Sequence, residues 1–336
     1  MNAQVLVYDV PRVNLAAAQP GSSTKDVIHT PDVDLSYYVY GNTHSASPVI
    51  VVNGGPGFDH RYMVQSDIWN TLAQRRQIVF YDQRGVGESK LINPKAEQTM
   101  AAQVADIEAI RVKLGVSQVC LLGDSWGGFV SMGYAAAHPE HVEMLVLVDS
   151  VDAYWDKSIE LFTQVFPDMR PKDPKTGETT GASLLDDKES LRKYFRMLFY
   201  NEENFAKVMT AMPPDLGANL GIYEAIENAM GDLDLGPAIR KFNFPTLVTN
   251  GRFDVNEPPI TAWNIYHAIP DAQFVIFEKS GHLPFYEEPE KFVQVVDDFL
   301  GGDPAGFYPD KSCLPAKGFT SRRFCESPFA DDHIYP

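Results

Sequence analysis

Cysteine is scarce in this chain: three residues in 336, at positions 120, 313 and 325. Their spacing forms no metal-binding pattern, so neither a metal nor any other cofactor is expected. Cys120 lies in an apolar run and reads as a small buried residue. Cys313 and Cys325 stand near the C-terminus, where reduced thiols are the expectation for a cytoplasmic protein; whether the two pair is left open. Long apolar runs are missing too. None approaches the ~18 residues a membrane-spanning helix requires. The N-terminus has no basic region followed by an apolar core, so no secretory signal is expected. Positive charge is in deficit, with 28 Lys and Arg against 45 Asp and Glu, a net charge of −17. That balance argues against nucleic acid and anionic membranes as partners. It is compatible with a cationic substrate, though solubility alone explains it equally well. No internal repeat is present.

What is there begins with Leu121-Leu122-Gly123-Asp124-Ser125-Trp126-Gly127-Gly128. An apolar run, Val119 to Leu122, precedes it, and the Ala-rich stretch Phe129 to Ala137 after it reads as a helix. Strand, Gly-x-Ser-x-Gly and helix in that order describe a nucleophile elbow. Glycines flanking Ser125 permit a turn tight enough to hold the serine strained at its apex. The next amide, that of Trp126, then points from the positive end of the new helix toward the oxygen of a bound carbonyl. The pentapeptide alone is weak; its place between a buried strand and a helix makes Ser125 a candidate nucleophile.

A serine nucleophile needs a base and an orienting acid, which follow this elbow in the order Asp, His. Phe244 to Asn250 reads as a strand ending in the turn Gly251-Arg252-Phe253-Asp254. A helix near Ile260 to Ala268 follows, then the strand Gln273 to Phe277, and then Ser280-Gly281-His282. Asp254 and His282 therefore each lie just past the carboxyl end of a strand, where open α/β sheets place their ligands. In this reading His282 removes the Ser125 proton, while Asp254 fixes the imidazole tautomer and stabilises the imidazolium. Of the other histidines, His138 and His141 flank Pro139 at a helix end, and His267 sits within a helix. His60 follows a glycine turn, where contact with substrate is conceivable, but it precedes the serine. Asp149 also ends a strand, Met144 to Val148, and competes with Asp254 as the acid. The bland reading of Asp254 is a turn-forming residue.

An oxyanion hole needs a second amide, and Pro48 to Val52 runs as a strand into Asn53-Gly54-Gly55-Pro56-Gly57. Glycine lets backbone approach a substrate closely, so Gly55 is the expected donor and Gly54 a neighbouring substrate contact. A further strand, Gln77 to Tyr81, leads into Asp82-Gln83-Arg84-Gly85-Val86-Gly87-Glu88-Ser89, where Asp82 and Arg84 are expected to brace loops rather than touch substrate.

Together, Asn53 to Gly57, Asp82-Gln83-Arg84-Gly85, Gly123 to Gly128, Gly251 to Asp254 and Gly281-His282 resemble the proline iminopeptidase (prolyl aminopeptidase) family of α/β-hydrolases. The resemblance covers roughly residues 30 to 300. It implies Ser125, Asp254 and His282 as a catalytic triad and the amides of Gly55 and Trp126 as the oxyanion hole. It also implies hydrolysis of an amide bond beside a free N-terminal amino group. Two departures stand out. The family opens its glycine turn with His, here Asn53. It also reads the substrate ammonium with acidic residues of a cap or beside the catalytic acid, and here Val255 follows Asp254. Glu224 is the best acidic candidate within the cap, with Glu227 as its substitute.

The expected fold is therefore α/β: a mostly parallel central sheet flanked by helices, with an inserted helical cap. Residues 1–150 and 241–300 form the core; residues 1 to about 40 are β-rich, with strands at Gln4 to Val10, Lys25 to His29 and Val33 to Tyr40. In 151–240 the alternation of strand and helix breaks into helical patterns at Lys157–Val165, Lys188–Tyr200, Glu202–Met212 and Ile222–Met230, with a polar Pro/Gly-rich stretch from Pro171 to Gly181. Residues 301–336 are an irregular extension. Its aromatics, among them Phe307, Tyr308, Phe319, Phe324 and Phe329, are too many for a purely disordered segment, so it is expected to lie over the body or over a second copy in a homo-oligomer.

Three functions compete. The first is a serine hydrolase acting on a small molecule or short peptide with a free amino group, as an aminopeptidase or amino-acid amidase. The second keeps the triad in an esterase, a lactonase or a tailoring hydrolase for a small metabolite. The third, a binding protein on an inactivated fold, is disfavoured because competent residues fill all three triad positions. Epoxide hydrolase or dehalogenase chemistry is disfavoured too, since it needs a carboxylate where Ser125 stands.

Overall fold

Alternation along the strands decides the architecture. Val49 and Val51 pack on one face of the sheet, Ile50 on the other; Ile78 and Phe80 likewise oppose Val79 and Tyr81. Both faces are apolar, so helices must cover both, as parallel sheets require. In the computed structural model, which describes residues 5–6, 23–41, 46–157, 164, 188–212 and 217–301, ten strands form one sheet. They are β1 (Val5–Leu6), β2 (Thr24–His29), β3 (Val33–Tyr40), β4 (Val49–Val52), β5 (Ile78–Tyr81), β6 (Lys90–Leu91), β7 (Val119–Asp124), β8 (Val142–Val148), β9 (Thr246–Gly251) and β10 (Gln273–Phe277). The order is β1-β10-β9-β8-β7-β4-β5-β3-β2, with β6 paired to β3. Every pair from β1 through β5 along this path is parallel, while β3 pairs antiparallel with β5 and β2.

Helix α1 (Ile68–Leu72) buries Trp69 in the cluster that holds Val51 and Phe80. Helix α2 (Met100–Leu114) starts where Thr99 Oγ1 accepts the Ala102 amide at 3.4 Å, and ends at Gly115 in the left-handed region, φ 71°, a common helix stop. Helix α3 (Trp126–Ala137) is buried along nearly all its length, which explains its apolar, small-residue composition. Between β8 and β9 the described residues contribute helices Lys188–Met197, Glu202–Ala211, Leu220–Met230 and Gly236–Ile239, and no strand of the sheet. This helical insertion meets the core at several points: Asn219 donates its amide to Gly57 O at 2.7 Å, and His282 donates its amide to Leu198 O at 2.7 Å. Lys188–Met197, Glu202–Ala211 and Leu220–Met230 run close to their expected bounds, as do Pro259–Ala268 and Gln273–Phe277, and the helix Pro289–Leu300 closes the fold. Most of the expected helix Lys157–Val165, the Pro171–Gly181 stretch, most of Gln4–Val10 and the tail beyond Gly301, with Cys313 and Cys325, lie outside the described residues.

Candidate active site

Ser125 sits at the turn between β7 and α3 with φ 54° and ψ −123°, a conformation L-residues hold only where the surroundings enforce it. Its amide donates to Val148 O at 2.9 Å, and its carbonyl accepts from Gly128 at 2.9 Å and Val151 at 3.2 Å. The turn closes only because Gly127 has no side chain: a Cβ there would stand 1.9 Å from Val52 O. Ser125 is 5% exposed.

Asp254 and His282 meet after β9 and β10. His282 Nδ1 lies 2.7 Å from Asp254 Oδ2. Asp254 is also the turn-forming residue of the bland reading, since its Oδ1 accepts from the amides of Asn256 at 2.8 Å and Glu257 at 3.0 Å. One oxygen shapes the loop and the other faces the imidazole. With Nδ1 committed to the carboxylate, Nε2 is the nitrogen left for proton transfer; Asn256 Nδ2 stands 3.4 Å from it. Burial pushes His282 down, but the charges of Asp254, Asp124 and Glu257 outweigh it and raise the group to about 9.

Asp149 joins this cluster. Its Oδ1 accepts from Asn250 Nδ2 at 2.6 Å and from the Gly251 amide at 2.8 Å. Asn250 also reaches Asp254 Oδ2 at 3.3 Å. Burial first, and the Asp254 charge second, hold Asp149 well above the usual carboxylate range, favouring its neutral form. The two candidate acids are therefore neighbours, and Asp254 is the one that contacts His282. Ligand atoms of Asp149, Asp254 and His282 fall within 4.8 Å of one another, but donors from Asn250, Gly251, Asn256 and Glu257 already surround the carboxylates. A second such group, Glu108, His138 and His141, is likewise committed: Glu108 takes two bonds from Arg111 and one from Tyr134.

The glycine turn lies against the elbow. A Cβ on Gly54 would stand 2.9 Å from Ser125 Cβ, so this position must be glycine for the two to meet. The Gly54 amide donates to Tyr62 Oη at 2.6 Å, and Tyr62 donates in turn to Asp124 Oδ2 at 2.6 Å. Among the turn, loop and cap bonds of the described residues, none is donated by the amides of Gly55 and Trp126. Asn53 Nδ2 pins the turn from within by donating to Gly54 O at 2.9 Å and Phe58 O at 2.8 Å.

Bracing by Asp82 and Arg84 is as expected. Asp82 accepts from His60 Nδ1 at 2.6 Å and from the Glu88 amide at 2.8 Å; Arg84 pairs bidentately with Asp106 at 2.8 and 2.7 Å. His60 is buried in that bracing, its ring tilted against that of Tyr38 with centroids 4.2 Å apart. Glu224 is exposed, because its helix buries Ile222, Ile226 and Met230 and Glu224 falls on the opposite side. Glu227 accepts from Tyr223 Oη at 2.8 Å. Three groups that motif reading passed over do belong here: Tyr62, Asp124 and Gln83. Asp124 immediately precedes Ser125, is buried, and has one carboxylate oxygen without a hydrogen-bond partner among the described residues; burial pushes it up to about 6.

Strand order, elbow and paired Asp and His define a hydrolase of the α/β class. The family model for the alpha/beta hydrolase fold matches residues 47–289, and the chain belongs to that family. Within it, the resemblance to proline iminopeptidases holds along most of the chain. The proline iminopeptidase of Lactobacillus delbrueckii subsp. bulgaricus is 27% identical over 282 residues, 78% of this chain and 92% of the relative. That of Clostridioides difficile is 26% identical over 281 residues, covering 80% and 94%. Among solved structures, esterase RhEst1 from Rhodococcus sp. ECU1013 superposes with a TM-score of 0.67 at 22% identity, over 84% of this chain and 99% of the other; that likeness speaks for the fold alone. Among the described residues no helix is long and apolar enough to cross a membrane.

Proposed function

We propose that this protein is a serine hydrolase that cleaves an amide bond next to a free N-terminal amino group, through an acyl-enzyme. The observation that carries the reading is the 2.7 Å contact between His282 Nδ1 and Asp254 Oδ2, at the same carboxyl edge of the parallel strands as the strained Ser125. Neutral His282 accepts the Ser125 proton at Nε2 as Ser125 Oγ attacks the carbonyl carbon. The resulting oxyanion takes hydrogen bonds from the amides of Gly55 and Trp126, at the N-terminus of α3. Collapse breaks the C–N bond, and His282 returns its proton to the leaving amine. Water, deprotonated by the same imidazole, then releases the acyl group and regenerates Ser125. The helical insertion acts as the cap over the substrate.

Preference for an amine is supported by the charge around the site. Asp124, Asp254 and Glu257 are all buried, and all three act on His282 as raising charges. Buried groups of that sign favour a substrate cation. The exposed position of Glu224 favours the second reading, an esterase without a cap anchor. Turnover of L-prolyl-4-nitroanilide, its N-acetyl derivative and 4-nitrophenyl acetate separates the two. Preference for the free amine is expected; equal or better turnover of the acetylated anilide or the ester overturns the aminopeptidase reading.

A further inference from the structure

The two candidate oxyanion amides belong to different segments. Gly55 follows β4, and Trp126 follows β7. Backbone register between those strands ends at Val52 and Gly123, before either amide is reached. Gln83, in the loop after β5, spans the remaining gap. Its Nε2 donates to Asn53 O at 2.7 Å and its Oε1 accepts from Trp126 Nε1 at 2.9 Å. Asn53 O is purely an acceptor and the indole N–H purely a donor, so the amide is locked in one orientation. The residue is 1% exposed, which makes both bonds costly to lose. Trp126 is fixed from its other side by Trp155, with ring centroids 5.3 Å apart.

We propose that Gln83 is a positioning residue for the oxyanion hole, setting the separation of the Gly55 and Trp126 amides by tying the backbone of one segment to the indole of the other. The inference rests on the hydrolase reading above. The terminal carboxamide presents an uncharged donor and acceptor side by side at any working pH. A carboxylate accepts from Trp126 but repels Asn53 O; an aliphatic side chain makes neither bond. Removal of a complete oxyanion donor costs about 10²–10³ in kcat, so loosened donors are expected to cost roughly ten- to a hundred-fold.

The test uses the full chain with 4-nitrophenyl acetate and with phenylboronic acid, which adds to a serine hydroxyl as a tetrahedral adduct. Gln83→Leu is expected to lower kcat and boronate affinity by the same factor while KM stays within about twofold. Gln83→Glu is expected to regain activity relative to wild type as pH falls, because a protonated carboxyl again donates to Asn53 O. A Leu variant that loses thermal stability but keeps kcat and boronate affinity overturns the proposal. If that variant does not fold, a Glu variant whose ratio to wild type is flat with pH overturns it. A wild type that neither turns over nor binds boronate defeats the hydrolase reading and this inference together. An active wild type matched by Gln83→Leu defeats the Gln83 role alone.

Discussion

The strand ends and the helical insertion are built on different terms. After β7, β9 and β10, Ser125, Asp254 and His282 are 5%, 3% and 3% exposed, and main-chain bonds constrain the loops that carry them. In the insertion only one stripe of each helix is buried: Ile222, Ile226 and Met230 on Leu220–Met230, Phe205 and Val208 on Glu202–Ala211. A buried, backbone-held edge supplies the precision that chemistry demands. A half-exposed helical layer varies its outward residues at little cost and suits the task of substrate choice. Effects of mutation should therefore be steep at the first and shallow at the second.

The steepest is Ser125→Ala, expected to remove about 10⁶ of the rate while leaving the fold intact; steady-state kinetics and circular dichroism check both halves. Next comes the pair of acids. Asp254→Asn should lose about 10⁴ in kcat by favouring the wrong tautomer. Asp149→Asn, one residue further from the imidazole, should lose about tenfold or less. The reverse ranking would make Asp149 the working acid.

The pH dependence sharpens the contrast at the strand ends. Only neutral imidazole accepts the serine proton, so kcat/KM should rise with pH through the His282 pKa, on a limb lying above the ordinary histidine value and extending toward about 9. Stability moves the other way. A pKa raised in the folded state contributes stability that is fully present below about 6.5, the unfolded value, and is lost as pH rises through the folded value. An activity limb centred below 6.5 contradicts the charge balance around His282.

Glu287 joins the two regions. Its carboxylate accepts from the amides of Tyr200 at 3.0 Å and Asn201 at 2.7 Å in the insertion, and of Gly281 at 2.7 Å beside His282. Glu287→Ala should cost about 1.5–3 kcal/mol, the range for hydrogen bonds to a charged group, read by urea denaturation; an unshifted midpoint would mean the regions are not coupled there. Smallest of all is Glu224→Gln, whose exposed side chain predicts kcat/KM within about twofold of wild type on the free-amine anilide. A selective loss on that substrate would restore Glu224 as its anchor.

How much was legible follows the same division. The elbow was readable because its glycines and its strand and helix neighbours are contiguous in sequence, and His282 because Gly281-His282 lies in the short turn just past an apolar strand. Asp149 and Asp254 were hard to rank because both end strands and only three-dimensional pairing separates them. Glu224 lies on the expected helix, but on its exposed side. Ile222, Ile226 and Met230 recur at i, i+4 and i+8 and mark the buried stripe; a residue two positions on from Ile222 lies about 200° around the helix. Gln83 was invisible in its role because its partners are 30 and 43 residues away, a tie no local pattern records.

The central claim is that Ser125 is an activated nucleophile. Intact-mass analysis after treatment with a fluorophosphonate tests it most directly. The account predicts a single adduct, located on Ser125 by peptide mapping and absent from Ser125→Ala. An unmodified wild type, or an adduct on another serine, would contradict it.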